Sequence, residues 1–160
     1  MGETMKRIGV MILALVLLAT VLSPLGVFAQ RPTVVNGGGT GSVDGSTVFS
    51  QFGMGVLLHS DGSAQGHFQC LMAGLAAIPG LHLMSVGGRV TSGALNPDGS
   101  VTFSGVGTVN LGDSGKLTDE PFTVTVTAGG VGVGTLQLSC GPCGGALPIE
   151  TIFSGRIDIR

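Results

Sequence analysis

Between Phe122 and Ala128 the chain reads Phe-Thr-Val-Thr-Val-Thr-Ala, which places Phe122, Val124, Val126 and Ala128 on one face of an extended backbone and three threonines on the other. Strict period two of this kind specifies a strand with one buried face, because a helix would need apolar residues three and four apart. The pattern recurs. Phe52, Met54, Val56 and Leu58 alternate with Gln51, Gly53, Gly55 and His59, and Val101, Phe103, Gly105, Gly107 and Val109 form another apolar or small face. No amphipathic helix of ordinary length follows residue 29, so the expected fold class is all-β.

Turn chemistry sets the connections. Ser60-Asp61-Gly62 reads as a three-residue hairpin loop with Gly62 at positive φ, which pairs His59 with Ser63, Met54 with Phe68 and Phe52 with Cys70. Asn96-Pro97-Asp98-Gly99 is a turn, since proline presets φ and glycine takes the left-handed position. A simple loop there conflicts with the faces of Val86 and Val90, which predicts a bulge near Gly87-Gly88 or Gly93. Gly129-Gly130 turns the chain into Val131–Ser139, where the apolar phase slips from Val131 and Val133 to Leu136 and Leu138 and predicts a second glycine bulge. The last strand puts Phe153, Ile157 and Ile159 inward. Leu71 to Leu81 breaks the alternation and reads as an apolar loop or a short helical turn. The sum is a single antiparallel meander of about seven strands, closed as a small barrel or folded as a sandwich.

The beginning of the chain reads differently. Lys6 and Arg7, an apolar run from Ile8 to Leu22, and Val27-Phe28-Ala29 have the three parts of a secretory signal, with a cut expected after Ala29. The competing reading is a retained anchor, since Ile8 to Phe28 is long enough to span a bilayer. The domain organisation is therefore a signal peptide at 1–29, a glycine-rich flexible segment or loosely held edge at 30–47, and one β-domain at 48–160. Residues 30–160 carry five basic and eight acidic side chains. That balance gives no basic footprint for phosphates, which argues against nucleic acid and against anionic lipid after signal cleavage.

Several segments together resemble a known family. Ala64 to Gln69 (Ala-Gln-Gly-His-Phe-Gln), Thr102 to Gly105, Pro121 to Thr127 and the terminal Ser154 to Ile159 are similar to small secreted bacterial proteins of the post-COAP domain type. The likeness covers most of 47–160 and lies in strand patterns. It implies an exported β-domain of uncharacterised role. The family's acidic turn after the threonine-rich strand is replaced here by Ala128-Gly129-Gly130-Val131-Gly132, so no ligand held by such a turn carries over.

Cys140-Gly141-Pro142-Cys143 has the spacing of a thioredoxin-type redox pair, but it follows a strand and precedes Gly144-Gly145, which cannot open an ordinary helix. A structural disulfide suits an exported chain better. A bridge from Cys70 to either cysteine, or Cys70 as a buried thiol, stays open. His67 and Cys70 with the later pair could be written as four zinc ligands, yet positions 67 and 70 of a strand point to opposite faces. His59 and His82 read as solvated or hydrogen-bonded. Gly112-Asp113-Ser114-Gly115 has the look of a protease nucleophile turn without the accompanying histidine segment, and reads as a hairpin turn. Asp44, Asp61 and Asp98 supply one carboxylate per turn, too few oxygens for calcium. With no Trp or Tyr, sugar stacking has only phenylalanine to use, and Phe52, Phe68, Phe103, Phe122 and Phe153 are expected inward.

The expected function is a noncatalytic secreted β-domain, a structural or interaction module at the cell exterior, with no cofactor and an extracellular protein as partner. The alternative is a carrier of a small apolar ligand, entering a barrel mouth near Leu71 to Leu81. A weaker one is thiol–disulfide exchange at Cys140 and Cys143.

Overall fold

The computed structural model describes residues 31–73 and 83–160. Nine strands follow in chain order: β1 Thr33–Ser42, β2 Ser50–Leu58, β3 Ser63–Ala73, β4 Leu83–Leu95, β5 Val101–Asn110, β6 Lys116–Thr127, β7 Thr135–Cys140, β8 Gly145–Ala146 and β9 Glu150–Ile159. Every pairing among them is antiparallel. From β1 to β6 each strand pairs with the next, β6 pairs with β7, β7 with β9, and β9 with β1, so the run of pairings returns to its start. The short β8 lies against the end of β7.

The alternation explains where the core sits. Side chains of one parity point inside and bury Phe68, Phe103, Met72, Met84, Leu136, Leu138 and Ile152 almost completely. Phe68 meets the edge of Phe103 at 5.9 Å between ring centroids and lies 5.7 Å from Phe122. On the other parity, hydroxyls pair across strands: Thr102 with Thr125 at 3.0 Å, Ser104 with Thr123 at 2.9 Å and Thr127 with Thr135 at 2.7 Å. The threonine-rich face of β6 is thus tied to both neighbours.

The β2–β3 hairpin has the expected register, with Met54 opposite Phe68 and Phe52 opposite Cys70, and Gly62 at φ 84°. The bulge predicted on β4 falls at Thr91, between Val90 opposite Gly105 and Ser92 opposite Ser104. Four expectations change. The glycine-rich segment 30–47 carries β1, paired along both edges; a Cβ at Gly39 would overlap the Ser154 carbonyl, so glycine there is what allows β9 to approach. Val131 and Val133 belong to the β6–β7 turn and are exposed, so their phase slip marks a turn, and β7 begins only at Thr135. On β9 the inward residue is Ile152, and Phe153 is 40% exposed. The cause is a bulge: Thr40 faces Ser154 and Gly41 faces Ile152, leaving Phe153 without a partner. The strand count rises from about seven to nine through β1 and β8. The expected signal peptide, His82 and the part of Leu71–Leu81 after Ala73 lie outside the described residues.

Candidate functional site

Cys140 ends β7, and the turn that follows brings Cys143 back to form a disulfide with it. The Cys143 amide donates to the Cys140 carbonyl at 3.2 Å and the Gly144 amide to the Gly141 carbonyl at 3.1 Å, so the segment is a turn and no helix N-terminus faces the sulfurs. Both cysteines are buried. Neither sulfur has the exposure of a reactive thiol. Cys70 is unbridged and buried on the inward face of β3. Burial pushes its thiol up to about 12, with the nearby Glu150 charge adding to the rise and the Ser50 hydroxyl working against it.

Glu150 is a residue that the sequence patterns did not single out. It opens β9 with the same parity as Ile152 and is 1% exposed. Its Oε2 accepts a hydrogen bond from Ser50 Oγ at the start of β2. A Cβ at Gly41 would collide with this carboxyl, so the glycine of β1 makes the space it occupies. Burial raises the acid from 4.5 to about 7, with the Ser50 hydrogen bond opposing. Parity with Ile152 was the available signal, hidden because Phe153 looked like the inward residue. Cys70, Ser50 and Glu150 form a cluster of buried polar and thiol groups inside the sheet.

His67 stands on the outward face of β3 while Cys70 points inward, and among the described residues no group of three metal-binding side chains occurs. His59 lies 3.3 Å from Gln65. Asp61 accepts from the amide and hydroxyl of Ser63, and Asp98 likewise from Ser100. Asp44 accepts from Ser42, Ser46 and Thr47. Those hydrogen bonds hold all three carboxyls below the usual range. Each acid is thus taken up by its own turn. Gly112–Ser114 is a single 3₁₀ turn between β5 and β6 with no buried residue.

Outside the closed sheet lies a shallow groove of about 410 Å³ across β2 and β3, with Gly53 and Gly55 on its floor and Gln51, His67, Gln69 and Leu71 along its sides. His67 and Gln69 also border a second groove of about 280 Å³ toward β4 and β5, floored by Gly87 and edged by Thr108 and Asn110. The walls mix hydrogen-bonding side chains, Gln51, Gln69, Thr108 and Asn110 among them, with apolar Leu71 and Val86. Lys116 at the far end brings the nearest charge in that lining. Among the described residues no helix is long and apolar enough to cross a membrane. No family model, no curated protein and no solved structure matches the chain.

Proposed function

We propose that this is an exported, noncatalytic β-barrel domain that works as an interaction module through its outer surface, receiving an extended segment of an extracellular protein. The observation that carries this reading is the set of outward glycines. A Cβ added at Gly38, Gly53, Gly55 or Gly87 would meet no atom nearer than 3.5 Å, and none of the four has positive φ. Nothing local requires glycine at these positions, although glycine weakens a strand. A bare floor allows another backbone to come close.

The walls favour a polypeptide: Gln51, Gln69, Thr108 and Asn110 offer donors and acceptors without charge, and Phe52, the phenylalanine of the first groove's lining, is buried on the inward face and offers no open ring to a sugar. A filled interior favours this surface over a carrier cavity, since Phe68, Phe103, Met72 and Met84 occupy the space a ligand would need. Export is supported by the signal-like beginning and by the disulfide. The strand segments similar to post-COAP domains point the same way.

The test is a photo-crosslinking residue placed at Gln69 or at Asp113, with the protein secreted by its own host. A discrete protein adduct from Gln69, absent from Asp113 and lost when Gly53 and Gly87 become valine, is expected. No adduct at Gln69, or equal adducts at both sites, overturns the reading. Native mass spectrometry that finds a lipid-like mass would establish the carrier instead.

A further inference from the structure

We propose that Glu150 is an acid-dependent latch at the join between the last strand and the rest of the sheet: neutral, it lets β9 seat against β7, and ionised, it loosens that join. The join is the thinnest part of the closed run of strands. β7 and β9 share two residue pairs, Thr135 with Thr151 and Leu136 with Glu150, whereas β6 and β7 share six. Past that ladder, β9 is held to the β6–β7 turn by single bonds: Ile152 N–H to Gly134 O at 2.8 Å, Gly132 N–H to Ile152 O at 2.9 Å, and a mutual pair between Gly129 and Ile157. Glu150 is therefore a member of the ladder and also the polar group buried beneath it.

The surroundings offer a negative charge little help. Toward this carboxyl β2 presents Ser50, β1 presents Gly41 with Ser42 beside it, and β7 presents Leu136, none of which titrates. From β3 comes Cys70, whose raised thiol stays neutral. Asp44, in the turn after β1, is exposed, negative and occupied by Ser42, Ser46 and Thr47. The ion pairs of Arg156 and Arg160 go to Asp158, at the far end of β9. No cation among the described residues pairs with Glu150, so ionising it leaves a buried charge with one hydroxyl for company.

The direction follows from the raised acid. Below about 4.5 the carboxyl is neutral whether the join is closed or open; between 4.5 and about 7 the closed form keeps its proton and the open form does not, so closure weakens; above 7 the weakening is complete. The molecule is therefore tighter at mildly acidic pH.

Amide hydrogen exchange on the intact protein at pH 5 and pH 8, corrected for intrinsic chemistry, reads this directly. In the wild type the amides of Gly132, Ile152 and Ile157 should lose protection by roughly tenfold or more relative to β3–β4 amides. Glu150→Gln should show the same protection at both pH values, and Cys70→Ala should keep the wild-type dependence. Protection at the join that does not change with pH in the wild type, or changes equally in Glu150→Gln, overturns the proposal, as does its loss in Cys70→Ala. Should Glu150→Gln not fold, a carbon-13 titration of the wild-type Glu150 carboxyl decides: a midpoint near 7 supports the latch and one near 4.5 overturns it.

Discussion

Two populations of glycine occupy the same sheet under opposite constraints. Inward or at bends, Gly39, Gly66, Gly88, Gly105 and Gly155 sit so close to a neighbouring strand that a Cβ would overlap backbone: Arg89 O at Gly105, Val106 O at Gly88, Gly38 O at Gly155. Outward, Gly53 has nothing within 4 Å of that position, and Gly38, Gly55 and Gly87 have only ordinary contacts. The first group lets strands coil tightly enough to surround Phe68, Phe103 and Phe122. The second contributes nothing to that curvature. One residue type thus answers two different demands, closure of the sheet and access to its surface.

The contrast breaks most visibly at Gly105. Gly105→Ala puts a methyl group against the Arg89 carbonyl and 2.8 Å from the Phe122 ring, so it should cost about 3 kcal/mol or more, as overpacking at a site where backbone must move. Urea unfolding monitored alongside Gly53→Ala measures the difference. Equal tolerance of the two substitutions would mean that curvature does not depend on the inward glycines. Removing the Cys140–Cys143 disulfide is the next largest change. It closes a loop of about four residues, so the double alanine variant should lose about 2 kcal/mol in the chain-entropy account. The strand pairings should survive, since closure comes from β6–β7 and β7–β9 hydrogen bonds rather than from the bridge. Loss of those pairings by hydrogen exchange would shift the credit for closure from glycine to cysteine.

Much of this fold was legible in the sequence because it is written in local patterns. The faces of β2, β3, β5 and β6, the turns at Gly62 and Gly99 and the pairing of Cys140 with Cys143 each follow from residues close together in the chain. What could not be read depends on partners far away. The run Gly37-Gly38-Gly39 looks like a linker until Ile157, Arg156 and Gly155 of β9 are placed beside it. Phe153 looks inward until the bulge opposite Thr40 and Gly41 shifts its parity, and the same shift reveals Glu150 as buried. The outward glycines were visible as alternating residues, but whether each was forced or free depended on space that only the assembled sheet defines.

The smallest expected effect is the most informative about function. Gly53→Val and Gly87→Val add a β-branched side chain where there is room and where the backbone is already extended. Each should raise stability by about 0.5–1 kcal/mol, by reducing the freedom of the unfolded chain and by supplying a residue suited to a strand. Thermal unfolding measures the gain. If both variants are more stable and still form the Gln69 crosslink, the bare floor has no part in binding and the two populations differ only in crowding. If they gain stability and lose the crosslink, the outward glycines are maintained against folding stability by what the surface must admit. A loss of stability at either site would show instead that a packing demand reaches the exterior and that these glycines, like the inward ones, are required by the fold.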